Sequence, residues 1–486
     1  MRAGSLPARI FLSRSQEAIL CRIPQATETF RLDIFYHSFG LSQPASCGGR
    51  SQWYNVGKTF IQADAEDISL VRIKGNSMKK TALALALGLI ASCAMAATRI
   101  VVFKNGTTAQ QRKSQVEALG GKLVADYEYI NESLADFGDM PTRSLSLDMA
   151  RSAPDATVID ENRTRDWLQG GVYPPLAPVS GIISQARMAS DSEPPAPVAE
   201  AAFSGVMADA KYRLPWGVER VNAKGAWKKG LDGSGVKVAV LDTGIDFNHP
   251  DLAPNIAGNY NALNHDAAAR DDHGHGTHVA GTVAGVGDND VFGVAPKAKI
   301  YAVKVLNARG SGNTAGIVDG INWTIGQHVN VINMSLGDKV GGEDDVPAFR
   351  QAVKAAHDAG IAVVCAAGND YGAAVNIPAA YPDAIAVSAS SYSNDLARFS
   401  NKGPQIKFIA PGSGIHSAKA GGGYTFMDGT SMSSPHVAGL AALAYQAGAA
   451  GPDQAMEMLR AAALKLHSLK DNEQGFGLVN AEKIGK

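Results

Sequence analysis

The chain has 486 residues, 45% of them hydrophobic, and a formal net charge of −1 from 45 basic and 46 acidic side chains. That composition supplies apolar material for one large core or two smaller ones, and it leaves no global field to attract a phosphate backbone or an anionic membrane, so no nucleic-acid partner is expected. Its 52 glycines suit an enzyme built from strands, tight turns and loops that approach a substrate closely.

The first recognisable segment begins at Met78, in MKKTALALALGLIASCAMAA: two lysines, an apolar run from Thr81 to Ala91, then the small-residue pattern Ala94-Met95-Ala96. These are the three parts of a secretory signal peptide over residues 78–96. The apolar run is too short to span a bilayer, so a secreted protein cleaved near Ala96, with no transmembrane segment, is expected. Because such signals open chains, residues 1–77 read as upstream sequence translated from a misplaced start and without ordered structure. Ile90-Ala91-Ser92-Cys93 resembles a permissive lipoprotein box, which makes lipid attachment at Cys93 the alternative to release. Cys21 and Cys47 lie upstream and Cys93 lies in the signal, so Cys365 stands alone in the mature protein and no intramolecular disulfide can form. Within the apolar run IAVVCAA it reads as a small buried side chain.

Residues 97–167 alternate in a βαββαβ order: strand RIVVFK, helix TAQQRKSQVEALGG, strands near KLVADYEY and ESLADF, helix TRSLSLDMARS and strand ATVID. This predicts a small α+β unit of ferredoxin-like topology. From residue 168 to 211 the composition turns to Pro, Ala and Ser, which predicts an exposed linker of the kind proteases cut. Over residues 212–486 apolar β-rich runs (VKVAVLD, KIYAVKVL, VNVINMS, IAVVCAAG, AIAVSAS, IKFIAPG) alternate with helical stretches. Runs that are apolar on both faces and separated by helices imply an α/β fold, a parallel sheet with helices on both sides, whose chemistry collects at the carboxyl ends of its strands.

Four weak signals fall at that edge. Asp242 ends VKVAVLD and projects from the strand end, though an aspartate capping the next turn would look the same. HGTHVAGTVAG reads as a helix starting near Gly276, with His275 at its mouth and His278 one turn inside. In DGTSMSSPHVAGLAALAY, Pro435 belongs in a first helical turn, which puts Ser431 at a helix start where N–H groups and the dipole favour developing negative charge. A helix N-cap at Thr430 or Ser431 is the bland alternative. Asn369, in CAAGND, follows a buried strand and offers an amide N–H to an oxyanion or to turn backbone. An acid, a base, a nucleophile and a donor at one sheet edge carry more weight than any one of them.

VAVLDTGID, HGTHVAGTVAG, NMSLG, AAGN and GTSMSSPHVAG resemble the signature segments of the subtilisin-like serine proteases, in the Asp, His, Ser order of that family. The resemblance runs over roughly residues 214–486. It implies that Asp242 orients the imidazole, His275 is the general base, Ser431 the nucleophile through an acyl-enzyme, and Asn369 the side-chain oxyanion donor beside the Ser431 N–H. It further implies that Gly310-Ser311-Gly312 and Ser335-Leu336-Gly337 hold an extended peptide as an added strand, with Ala366, Ala367 and Gly368 along the same cleft. Small residues there imply broad specificity on protein and peptide substrates, with Asp370 and Asn376 shaping the main side-chain pocket. Structural calcium is expected from the family, with Asp251 at a ligand position and the loop VGDNDV (residues 286–291) beside it, and no cofactor is required for the chemistry. The βαββαβ unit resembles the inhibitory propeptide of these enzymes, cut away between about Trp167 and Tyr212, and the matured chain is expected to be a monomer. Two rivals remain: a metallohydrolase built on His273, His275 and His278, and an inactive peptide-binding relative.

Overall fold

The computed structural model describes five strand segments between residues 8 and 74, then residues 98–138, 140, 142–168, 214–339 and 346–485. The signal stretch and the Pro/Ala-rich linker lie outside the described residues. The chain divides into two compact units, residues 1–98 and 99–486. In the first, the strands Ala8–Leu12, Ile19–Cys21, Ser51–Val56, Thr59–Asp64 and Val71–Lys74 form one five-stranded sheet, where unordered sequence was expected. The runs SQWYNV and TFIQAD pair antiparallel with Val56 opposite Thr59, and their aromatic and β-branched residues carry strand propensity.

The second unit begins with the βαββαβ order read from the sequence: β1 (Thr98–Phe103), α1 (Ala109–Ala118), β2 (Lys122–Tyr127), β3 (Glu132–Asp136), α2 (Thr142–Ser152) and β4 (Ala156–Glu161). The strands form a sheet of order β2-β3-β1-β4. Helix α1 starts at a reciprocal capping box between Thr108 and Gln111. Strand alternation sends Val101 and Phe103 into a small core with Val116 and Leu145 of the helices, whereas Ile100 and Val102 face the other way and join the core of the large sheet. A short strand β5 (Thr164–Asp166) follows.

The large sheet has seven parallel strands, β6 (Lys237–Asp242), β7 (Ile256–Asn261), β8 (Lys299–Lys304), then, beyond a three-residue strand β9 (Ser311–Asn313) outside it, β10 (Val331–Met334), β11 (Ala362–Ala366), β12 (Ala384–Ser390) and β13 (Ile406–Pro411), in the order β7-β8-β6-β10-β11-β12-β13. In β6, Val238 and Val240 enter one core while Ala239 and Leu241 enter the other. Helices α3 (His275–Ala284) and α6 (Thr430–Gln446) cover the first face, and α4 (Thr314–Gly326) and α5 (Pro347–Asp358) the second. This is the subtilisin-like α/β architecture expected. The sequence reading missed β7, an edge strand of alternating exposure whose run IAGNYN is too polar to resemble its buried neighbours.

Candidate active site

The carboxyl end of β6 meets the first turn of α3. His275 Nδ1 lies 2.8 and 2.9 Å from the two carboxylate oxygens of Asp242, and both side chains are wholly buried. Thr243 N–H donates to Asp242 Oδ1 at 2.7 Å, which fixes the carboxylate. The approach depends on glycine: a Cβ on Gly276 would sit 2.2 Å from the Gly244 carbonyl, and Gly244 itself turns at φ +102°. Asp271 holds the loop before the helix, accepting from Thr243 Oγ1, from the N–H groups of His273, Gly274 and Thr277, and from Thr277 Oγ1. Burial works against its charge, yet those donors win and keep its carboxyl below the ordinary range.

Ser431 is the second residue of α6 and is 4% exposed. Pro435 falls one turn later than the sequence reading placed it. Lacking an N–H, it leaves the Ser431 carbonyl without its helical donor, and Ser335 Oγ fills that role at 2.7 Å. Ser431 Oγ in turn bonds the Ser335 carbonyl at 3.2 Å, so the two segments are tied twice. Asn369, just beyond β11, accepts at Oδ1 from Thr430 N–H at 2.8 Å and Thr430 Oγ1 at 3.0 Å. With Oδ1 so engaged, its amide nitrogen is the remaining polar atom. A Cβ built on Gly429 would lie 3.6 Å from both Asn369 Nδ2 and Ser431 N, so the two nitrogens flank the same spot beside Gly429. Ser335, read from sequence as part of a substrate edge, and Thr430, read as an alternative N-cap, set the orientation of these groups; only the pairing across the fold reveals those roles.

Between the two expected edges runs a strand from the chain's own amino-terminal unit. β5 pairs antiparallel with β9, Thr164 opposite Asn313 and Asp166 opposite Ser311. Trp167 then donates its N–H to the Gly310 carbonyl at 3.1 Å, its Nε1–H to the Gly312 carbonyl at 2.9 Å, and accepts from Gly337 N–H at 2.9 Å. Trp167 and Leu168 line one cavity with Leu336, Gly337, Ala366, Gly368, Asn369 and Ser431. Ala367, expected along the cleft, is fully buried and does not line the cavity; its N–H is on the Val387 carbonyl and its own carbonyl accepts from Asn376 N–H. Of the two residues expected to shape the pocket, Asn376 lines this cavity and Asp370 does not; Asp370 pairs with Lys339 at 3.0 Å and accepts from Asn376 and Asn401, each at 3.1 Å. Its burial is outweighed by these donors, which lower its pKa.

The three clustered histidines do not converge on one point. His275 bonds Asp242, His278 Nε2 bonds the Ile415 carbonyl at 2.9 Å, and His273 is an exposed loop residue. Burial drives the His278 pKa down to about 3, and that of His436, bonded to the Met432 carbonyl, to about 4. Among the described residues no group of three His, Cys, Asp or Glu side chains is placed to hold a metal. Cys365 is buried and unpaired, and burial raises its pKa.

Asp251 does not fit the calcium expectation. Its carboxylate accepts from the N–H groups of Asn289, Asp290 and Val291 at 3.0, 3.2 and 3.0 Å and from Tyr424 OH at 2.7 Å. A carboxylate offers about four lone-pair sites, so donors already occupy the positions a hard cation would need. The loop after α3 wraps the aspartate directly.

The subtilase family model matches residues 233–477. Subtilisin Savinase of Lederbergia lenta is 44% identical over 271 residues, covering 55% of this chain and 97% of that protein. An alkaline protease of Shouchella clausii is also 44% identical over 271 residues, or 69% of its length. The minor extracellular protease Epr of Bacillus subtilis is 40% identical over 268 residues, or 40% of its length.

Proposed function

The chain belongs to the subtilase family and is a serine endopeptidase; from that premise we propose that it is exported, matured by removal of residues up to the linker, and cleaves proteins broadly through Asp242, His275 and Ser431. The observation that carries this reading is the fully buried Asp242–His275 pair at 2.8 Å, set at the same sheet edge as the α6 start.

In this mechanism Ser431 Oγ leaves the Ser335 carbonyl and gives its proton to His275 Nε2 as it attacks the scissile carbonyl. Asp242, held on Nδ1, keeps the imidazole in the tautomer with Nε2 open and stabilises the imidazolium that forms. Negative charge grows on the substrate oxygen where Asn369 Nδ2 and Ser431 N–H converge. The imidazolium returns its proton to the leaving amine, an acyl-enzyme remains, and water completes hydrolysis by the same route. Subtilisins generally need no cofactor for this chemistry. Main-chain bonds at Gly310 and Gly337 support broad acceptance of extended peptides, since they read backbone rather than side chains.

Residues 98–168 act as the inhibitor of the same cleft, their tail lying where substrate lies, and maturation cuts the chain beyond Leu168. The signal over residues 78–96 directs export, with lipidation at Cys93 the lesser alternative. A sulfonyl fluoride tests the assignment: it is expected to label Ser431 and abolish casein hydrolysis. Unaltered hydrolysis after stoichiometric labelling, or full activity in Ser431→Ala, would falsify it.

A further inference from the structure

The tail that fills the cleft makes one contact that main-chain pairing does not require. Arg165, opposite Gly312 in the β5–β9 pairing, donates from Nη1 to Asp338 Oδ2 at 2.5 Å. Both side chains are largely buried, 16% and 20% exposed, and the guanidinium also stacks over the Trp167 ring at 5.9 Å. Asp338 is held rigidly for this contact. Its backbone exchanges reciprocal 3.0 Å bonds with Ile377, and its Oδ1 accepts from Lys339 N–H at 2.8 Å. The neighbouring cation, Lys339, is drawn off to Asp370, so it does not neutralise Asp338.

A protease cleft presents the same edges to an inhibitor tail and to a substrate. When the tail departs, Asp338 Oδ2 loses its partner while the backbone that aims it stays fixed, which leaves an aimed carboxylate on the cleft wall ready for another cation. We propose that Asp338 is a specificity-determining residue that selects arginine or lysine in the substrate at the position Arg165 occupies, three residues ahead of the one that takes the place of Leu168. This rests on the reading of the cleft as a peptidase site and deepens it: most positions are read through the backbone, and this one through charge. Arginine is preferred to lysine in a peptide that, like the tail, carries tryptophan two residues on, because the guanidinium bonds Asp338 from Nη1 while lying over that ring.

The test uses matured enzyme and internally quenched peptides built on Thr-Arg-Asp-Trp-Leu-Gln-Gly, with Arg, Lys, Gln or Glu at the second position. Mass spectrometry of the products establishes a single cut on the carboxyl side of the Trp-Leu pair. Arginine is expected to exceed glutamine about tenfold in kcat/KM, mainly through KM, as for a close interfacial charge pair. In Asp338→Asn the Arg-to-Gln ratio falls towards one, and in the parent enzyme it shrinks with added salt. Equal kcat/KM for the Arg and Gln peptides, a preference that persists in Asp338→Asn, or a cut elsewhere in the peptide would overturn the proposal. If neither peptide is cleaved by an enzyme whose Ser431 resists labelling, the peptidase reading has failed instead.

Discussion

The catalytic body and the amino-terminal βαββαβ unit are both built from strands and helices, but only the body completes its own interior. Its seven-stranded sheet is covered on both faces by its own helices, and its two cores draw alternate residues from the same strands. The amino-terminal sheet buries one face under α1 and α2; on the other, Ile100, Val102 and Tyr127 are buried in the core shared with α4 and α5. Its polar contacts follow the same rule. Asp160 accepts from Ala348 N–H at 2.7 Å, at an α5 start that has no side-chain cap of its own, and Asn162 accepts from Ala315 N–H at 2.9 Å at the start of α4. The small unit thus caps the large one's helices and borrows its core. The dependence runs one way for the small sheet, whose second face has no cover of its own.

The sharpest way to separate the two is to stop the chemistry and leave the docking intact. Ser431→Ala is expected to lower kcat on the order of 10⁶-fold, a magnitude known from a subtilisin and not inferred from this cleft. Unprocessed chain should accumulate with its tail still in place, which the mass of the secreted protein reports. Asn369→Ala comes next. Loss of one oxyanion donor is expected to cost about 100- to 1000-fold in kcat with KM little changed, again a figure whose source is a subtilisin. A comparable loss in KM would mean that Asn369 binds the ground state.

Much of the body was legible because its signals are local. Strand runs apolar on both faces, a histidine at a helix mouth and a serine ahead of Pro435 each declare themselves within a few residues. What stayed hidden depends on partners far along the chain. The Ser335 hydroxyl that replaces the missing Pro435 donor lies 96 residues from the carbonyl it serves. Asp251 was read as a cation ligand from the family resemblance and from the oxygen-bearing side chains of the loop over residues 286–291, whereas it is the N–H groups of that loop that meet its carboxylate. Arg165 and Asp338 are unremarkable in sequence and meet only because β5 enters the cleft.

The Asp251 clasp offers the next smaller test, within the body alone. Asp251→Ala strands the donors that now meet its carboxylate, and a loss of about 1–3 kcal/mol in unfolding free energy is expected. Replacing the mutation by a chelator should not reproduce that loss. Burial opposes the Asp251 charge, but the donors, led by Val291 N–H, outweigh it and lower its pKa. Its contribution is therefore present above the ordinary aspartate value of 3.8 and fades as pH falls through the lowered one. Denaturant melts of parent and variant across that acid range should converge. A chelator effect on the parent that vanishes in Asp251→Ala would restore the calcium reading.

The subtlest test returns to the contact between the regions. Glu132 opens β3 on the strand face it shares with Leu134, which packs against the core under α4 and α5, and it is wholly buried with no hydrogen-bond partner at either carboxyl oxygen. Burial, reinforced by the nearby Asp160 charge, raises its pKa well above 4.5. A carboxyl with a raised value stabilises the docked state fully below its ordinary pKa, and that stability is lost as pH climbs from 4.5 through the raised value. Association of the two regions should therefore weaken towards neutral and alkaline pH. Glu132→Gln keeps the shape and removes the ionisation. In a Ser431→Ala background the melting midpoint of the Gln variant is expected to match the parent at acid pH and exceed it as pH rises. Parallel curves for the two proteins across that window would show that Glu132 stays neutral throughout, and the pH sensitivity of docking would then belong to other groups.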